Sequence, residues 1–191
     1  IIAHRGFSAN YPENTLLAFN KAIDARADGI ETDLRLSRDN RVIIFHDDNL
    51  KRITNIDNTV GPLTLEELKE LDVGDGETIP TLDEVLELID AKVTLVLQIK
   101  YNPLTYKTIC QAIAQSIDDK LSWVEVSCFK DKVLEYMYEL NPKIKLHKLI
   151  EKAEKLQSID FEKEYNYVSY FDIDINLRSS VLKMGLLKSH K

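Results

Sequence analysis

The sequence predicts an α/β fold built on a parallel sheet, and three observations predict it. Short β-branched runs alternate with segments of helical periodicity along almost the whole chain. No linker, internal repeat or low-complexity tract interrupts the alternation, so the 191 residues read as one domain. Residues capable of chemistry gather at the C-terminal ends of the early strand-like runs, where the loops of parallel α/β folds converge. Strands separated by crossover helices pair in parallel, which leaves a doubly wound open sheet or a (β/α) barrel.

Taken in order, residues 1–4 are the first strand. Leu16, Phe19, Ala22 and Ile23 then space a helix over residues 15–27 behind Asn14-Thr15. Residues 29–36 and 42–46 are the second and third strands. Residues 47–80 break the rhythm, being too long for a simple connection. They hold the turn Gly61-Pro62, a capping-box start at Thr64-Leu65-Glu66-Glu67, and Gly74 and Gly76. The expectation is an excursion inserted after the third strand and standing over one end of the sheet. A helix at 82–89 follows, then strands at 93–100, 123–129, 143–150 and 167–172. Helices at 103–117, 130–140 and 177–187, with a short one at 151–156, lie between or after them.

Composition excludes several classes. With 25 Lys+Arg against 32 Asp+Glu the net charge is −7, which argues against non-specific nucleic-acid binding but leaves room for a local basic pocket. No apolar run approaches the roughly 20 residues that span a bilayer, and no leader peptide is visible. Cys110 and Cys128 make neither a disulfide framework nor a thiolate metal site, and are expected to be buried free thiols. These features set a cytoplasmic location as the expectation.

Four strand ends carry the chemistry: His4-Arg5-Gly6, Glu31-Thr32-Asp33, His46-Asp47 and Gln98-Ile99-Lys100. Glu31 and Asp33 are two apart and share a face, as do Gln98 and Lys100. Two carboxylates on one face of an apolar strand call for a positive partner, and oxygen ligands suit a hard cation, Mg²⁺ or Ca²⁺. His4 and His46 titrate near neutrality and can form an acid–base pair, while Arg5 offers planar donors to a phosphate oxygen. Together these groups read as metal-assisted cleavage of a phosphate ester. Each also has a structural alternative: a structural role for His4, ion pairs of Glu31 and Asp33 with Arg35 or Lys100, and a plain polar loop at Asp47-Asp48. His147 and His190 are read as structural.

The motifs Ala3-His4-Arg5-Gly6, Pro12-Glu13-Asn14-Thr15 with Ala18-Phe19, Asp28-Gly29-Ile30-Glu31-Thr32-Asp33 and His46-Asp47 resemble the glycerophosphodiester phosphodiesterase family. Leu50-Lys51-Arg52-Ile53-Thr54, Leu71-Asp72-Val73-Gly74, Ile79-Pro80-Thr81-Leu82 and Ser127-Cys128-Phe129 extend the likeness along the chain. The resemblance implies a TIM-type (β/α)8 barrel as a single domain over residues 1–191, with residues 47–80 as its small insertion. It implies hydrolysis of glycerophosphodiesters to sn-glycerol 3-phosphate and an alcohol such as choline, ethanolamine or glycerol. The attack would come from the substrate's own glycerol hydroxyl, through a cyclic phosphate that water opens. His4 and His46 would be acid and base, Arg5 and Lys100 the phosphate-charge stabilisers, Glu31, Asp33 and Gln98 the metal ligands, and Glu13 a supporting substrate-binding residue.

Two departures qualify the likeness. Gln98 stands where the family motif has Glu, which removes a charge from the metal's ligands. No Trp-Thr-Val-Asn-like run follows the seventh strand, the sole tryptophan being Trp123, so the barrel is expected to stop before its eighth strand. Two alternatives follow: a catalytically impaired binder of phosphate esters or metal, and a phospholipase-D-like hydrolase of lysophospholipids whose acyl chain would meet Phe7, Tyr11 and Tyr101.

Overall fold

The structure, a computed structural model, describes residues 1–152 and 161–174. In chain order its elements are β1 (Ile2–His4), α1 (Leu16–Asp24), β2 (Gly29–Leu36), β3 (Val42–Ile44), α2 (Lys51–Thr54), α3 (Leu65–Lys69) and α4 (Leu82–Ile89). There follow β4 (Thr94–Ile99), α5 (Tyr106–Ser116), β5 (Val124–Cys128), α6 (Asp131–Leu140), β6 (Lys145–Ile150), α7 (Phe161–Glu164) and β7 (Tyr170–Ile173). The helix expected at 177–187, most of the one expected at 151–156, and His190 lie outside the described residues.

Six described strands form a parallel sheet in the order β1-β2-β4-β5-β6-β7, curled as half of a (β/α) barrel. The exception is β3. Expected as a third parallel strand with the insertion behind it, it runs antiparallel to β2, so the departure from the barrel begins directly after β2. Chain length is the reason. Only residues 37–41 separate the two strands, whereas a parallel crossover needs about a dozen residues or more. Within that turn Asn40 is left-handed at φ 59°, and the Ser37 N–H donates to the Arg41 carbonyl at 3.0 Å.

Strands β1 and β3 share one edge of β2. Ile2, Ala3 and His4 pair with Gly29, Ile30 and Glu31; Ile44, Ile43 and Val42 pair with Leu34, Arg35 and Leu36. On the other edge β4 pairs over residues 29–34. The chain leaves β1 through two left-handed residues, Arg5 at φ 57° and Gly6 at φ 79°. A Cβ at Gly6 would lie 2.8 Å from the Ala18 carbonyl carbon, so both the dihedral and the approach of α1 demand glycine.

Alternation sorts the sheet into two faces. Leu95, Leu97, Val124, Val126 and Leu146 face outward, where Phe19, Val85, Ile113 and Leu134 from the helices bury them. Each such side chain contributes about 1.5–3 kcal/mol of burial. Glu31, Asp33, Gln98, Glu125, Ser127 and His147 face inward, buried but polar. The insertion has a core of its own, built from Ile43, Phe45, Leu50, Val60, Leu68, Val73 and Ile79. Its helix α3 starts in the expected capping box, with Thr64 and Glu67 exchanging side-chain and backbone bonds. The insertion returns to the sheet beside β3, where the Ile44 N–H donates to the Pro80 carbonyl at 2.8 Å. Cys110 and Cys128 are buried and free, as expected, and burial pushes the Cys110 thiol up to about 12.

Candidate active site

The two histidine loops reach β2 from opposite ends of the same edge. On leaving β1, the Arg5 N–H donates to the Glu31 carbonyl at 2.9 Å; on leaving β3, the Phe45 N–H donates to the Asp33 carbonyl at 2.9 Å. The antiparallel run of β3 thus returns His46 to the level of Asp33, while β1 delivers His4 beside Glu31. The His4 Nε2 lies 3.8 Å from Glu31 Oε2.

Asp33 is the centre of the cluster, its residue fully buried. Its Oδ2 accepts from the Asn14 side-chain amide at 2.8 Å and lies 3.2 Å from Arg5 Nε; its Oδ1 lies 2.8 Å from Lys100 Nζ. Asn14 takes the left-handed conformation, φ 59°, and its Oδ1 also accepts from the Thr32 hydroxyl at 2.8 Å. The turn before α1 is thereby fixed against β2. Burial would raise the Asp33 carboxyl, but Lys100 and Asn14 outweigh it and hold the group below the usual range.

Glu31 is treated oppositely. Burial first, and then the charge of Asp33, push its carboxyl up to about 7. Its Oε1 accepts from the Gln98 Nε2 at 3.2 Å, and the Gln98 Oε1 accepts in turn from Lys100 Nζ. That amide orientation is set by Lys100, because an ammonium only donates and must meet the amide oxygen. His4 is shifted down, by burial and then by the charge of Arg5, which favours the neutral imidazole.

A second set of contacts links Arg5 to His46. Arg5 Nη1 donates to Glu13 Oε1 at 3.0 Å, and Arg52 grips both Glu13 oxygens at 2.7 and 3.0 Å. Arg52 Nε donates to Asp47 Oδ2 at 2.6 Å, and Asp47 Oδ1 lies 2.5 Å from His46 Nδ1. Burial works against the Asp47 charge, yet the bonds from Arg52 and His46 take its carboxyl down to about 2. Arg35, two residues beyond Asp33 on the inner face, donates twice to the His46 carbonyl at 2.8 and 3.0 Å. The site opens into a cavity of about 690 Å³ lined in part by Arg35, His46, Asp47, Arg52 and Lys100.

All eight residues singled out in the sequence, His4, Arg5, Glu13, Glu31, Asp33, His46, Gln98 and Lys100, therefore lie on one connected chain of polar contacts. Sequence reasoning missed four partners. Asn14 and Arg52 stand inside quoted motifs without a role, Asp47 stands in the His46-Asp47 strand end without a role of its own and with a polar loop as the alternative, and Arg35 is only a possible counter-ion. Two-residue alternation along β2 was the available signal for Arg35. Of the three aromatics that the lysophospholipid alternative invoked, Phe7 pairs with Tyr11 and Tyr101 with Tyr106, each with centroids 5.8 Å apart.

The donor set bears on a metal ion. Among the described residues no group of three or more His, Cys, Asp and Glu side chains is arranged to hold one. Glu31 Oε2 and Asp33 Oδ1 are nonetheless buried without an aligned hydrogen bond, the second at ion-pair distance from Lys100 only. Two orphaned carboxylate oxygens on one face fit a hard cation. Gln98 fits it less well, since its carbonyl is taken by Lys100 and its NH₂ faces Glu31.

Comparison with known proteins identifies relatives and structural neighbours of the chain. A relative from Caldanaerobacter subterraneus named glycerophosphodiester phosphodiesterase is 43% identical over 127 residues, which are 62% of this chain and 52% of that protein. One of the same name from Bacillus altitudinis is 35% identical over 157 residues, 78% of this chain and 62% of that protein. The chain thus spans less than two thirds of either relative. A phosphodiesterase structure from Oleispira antarctica, in complex with the product sn-glycerol-3-phosphate, superposes with TM-score 0.77 at 28% identity, over 97% of this chain and 88% of that one. A structure from Thermotoga maritima gives TM-score 0.69 at 25% identity, over 98% of each chain. The model of the glycerophosphoryl diester phosphodiesterase family matches residues 4–184, the span that carries both histidine loops, the Glu31–Asp33 pair and Lys100, and the chain belongs to that family.

Proposed function

We propose that the chain hydrolyses glycerophosphodiesters to sn-glycerol 3-phosphate and an alcohol, with His4 and His46 moving the protons. One observation carries the reading: His4 and Arg5 after β1, the loop of His46 after β3, and Lys100 after β4 converge on Glu31 and Asp33 from three separate segments of chain. The sn-glycerol-3-phosphate bound to the Oleispira structure supports it. Arg5 and Lys100 hold the phosphate oxygens, where their charge offsets the negative charge that builds in the transition state. One histidine takes the proton of the attacking hydroxyl and the other gives a proton to the leaving alkoxide. His4, shifted towards its neutral form, is suited to the first of these roles.

A divalent cation, Mg²⁺ or Ca²⁺, would be held by Glu31 and Asp33, and would supply Lewis-acid stabilisation of the phosphoryl oxygens. The test is release of glycerol 3-phosphate from glycerophosphocholine, with and without chelator, beside lysophosphatidylcholine as the acylated competitor. Turnover of the small diester, lost on chelation and reduced about 10²- to 10⁴-fold in His4→Ala and His46→Ala, is the expected result. Turnover untouched by either substitution overturns the mechanism.

The orientation of Gln98 favours one second reading. Its NH₂ faces Glu31 where a ligand oxygen would be needed, which suits a member that binds phosphate esters with impaired turnover. That reading expects glycerol 3-phosphate binding without hydrolysis.

A further inference from the structure

We infer that Arg52, which lies on the insertion helix α2 and meets Glu13 and Asp47, orients the Asp47 carboxylate that sets the tautomer of His46. The kinetic consequence rests on the proposed hydrolysis; the tautomer itself does not. A guanidinium only donates and keeps its proton, so the Asp47 Oδ2 that meets Arg52 Nε at 2.6 Å must be an acceptor. Asp47 is held in its ionised form and can only accept at its other oxygen too. His46 Nδ1, 2.5 Å from Asp47 Oδ1, must therefore carry the hydrogen. In the neutral ring this leaves Nε2 as the lone-pair nitrogen, the one without a protein hydrogen bond among the described residues. The Asp47 carboxylate imposes the tautomer, and the Arg52 guanidinium fixes which of its oxygens faces the ring.

The same guanidinium grips Glu13, which holds Arg5, so one side chain orients a proton-transfer group and a phosphate-holding group together. Bidentate, charge-assisted pairs of this kind fix direction as well as energy. Asp47 and Glu13 are only about a quarter exposed, at 25% and 21% of their side-chain surface, while Arg52 is at 47%. The alternative is a set of surface ion pairs of little consequence. Asp47, Arg52 and Glu13 are positioning residues on the first view and replaceable on the second.

Substitution at Asp47 separates the two. In Asp47→Asn the amide oxygen must turn to Arg52, which can only donate, so the NH₂ faces His46 Nδ1 and forces the hydrogen onto Nε2. Adding Arg52→Met removes that constraint; the amide is then free to turn over, and the Nδ1–H tautomer is expected to recover. Nitrogen-15 NMR of histidine-labelled protein reads the ring directly, with His46→Gln assigning the signal and the His147 resonances confirming that each variant is folded. The expected sequence is Nδ1–H in the parent, Nε2–H in Asp47→Asn, and Nδ1–H again in the double variant. With glycerophosphocholine, kcat falls about 10²- to 10⁴-fold in Asp47→Asn, with KM little changed, and the second substitution recovers part of the loss. An Asp47→Asn variant that keeps the parent tautomer, or a double variant that keeps the tautomer of Asp47→Asn, overturns the proposal. Absence of turnover in the parent would count against the proposed hydrolysis, while the ring signals still decide the role of Arg52.

Discussion

Two clusters on the inner face of the sheet contain the same kinds of side chain and differ in what they leave undone. Across β5, β6 and β7, His147 meets Glu125 at 2.7 Å through Nε2 and Asp172 at 3.0 Å through Nδ1, while Lys145 meets the other Glu125 oxygen at 3.0 Å. Both ring nitrogens are spent. Burial alone would lower the His147 pKa, but Asp172 and Glu125 raise it, so the imidazolium is part of the packing. Around β2, His46 engages one ring nitrogen and His4 makes only a 3.8 Å approach to Glu31 with two thirds of its side chain exposed. Glu31 Oε2, Asp33 Oδ1 and Arg5 Nε lack aligned hydrogen bonds there. Satisfied groups stabilise a fold. Buried groups left unsatisfied mark a place where something else binds.

The largest effect that sharpens this contrast is catalytic. His46→Ala is expected to reduce turnover about 10²- to 10⁴-fold, equivalent to about 3–5 kcal/mol of barrier, with little change in urea midpoint. His147→Ala should do the reverse, lowering the urea midpoint while the folded fraction keeps its kcat. A His147 variant that loses kcat at unchanged stability would break the distinction between the two clusters.

Next in size is a pH effect on stability. The Glu31 carboxyl titrates at about 7 in the folded chain against its ordinary 4.5, so the native state holds a proton that the unfolded chain has released. The stability from protonated Glu31 is therefore complete below pH 4.5 and is lost as pH rises to about 7, by about 3 kcal/mol at most. A divalent cation should remove this slope by stabilising the carboxylate. Urea unfolding at pH 5 and pH 8, with and without Mg²⁺ and in Glu31→Gln, measures it; the part of the slope lost in Glu31→Gln belongs to Glu31, and an undiminished slope would assign it elsewhere. The His147 contribution has the same sign in a higher window: its raised pKa adds stability below the ordinary histidine value, lost as pH passes through the folded one.

Smaller again is the cost of opening the satisfied cluster. Truncating His147 leaves Glu125 without its ring partner beside Asp172. A fully buried pair would cost about 3–5 kcal/mol, and because 48% of the Asp172 side chain is exposed the expected loss is nearer ~2 kcal/mol. Equilibrium denaturation of His147→Leu checks it, and a variant as stable as the parent would show the cluster to be expendable.

Much of this was legible in the sequence, for physical reasons that differ by residue. The faces of Glu31, Asp33, Gln98 and Lys100 follow from two-residue alternation, which the backbone imposes wherever a strand forms. The capping box at Thr64 and Glu67 is local for the same reason. The direction of β3 was equally local and was misread: five residues between Leu36 and Val42 allow a hairpin and no crossover. The contacts of Arg52 were not legible. They join residues 13, 47 and 52, brought together only after the hairpin turns His46 back along β2 and Leu50 is buried in the insertion's own core. Nothing in the spacing of Pro12-Glu13-Asn14-Thr15 and Leu50-Lys51-Arg52 states that meeting.

The smallest expected effect tests the unsatisfied cluster at Gln98. Gln98 joins Glu31 to Lys100 through an amide whose two ends cannot exchange while both partners keep their charge states. Gln98→Glu replaces the NH₂ facing Glu31 by an oxygen and gives the pair of orphaned carboxylate oxygens a third charged neighbour. Without a cation three carboxylates repel, with Lys100 and Arg5 to offset them; with one, the added oxygen can serve as a ligand. Affinity for Mg²⁺ or Ca²⁺ should rise about tenfold, or about 1.4 kcal/mol. Calorimetric titration of the cation into parent and variant reads this without reference to turnover. Equal affinities would mean that the cation does not reach residue 98, and that Gln98 belongs with the satisfied groups of the fold, as His147 does, rather than with the site.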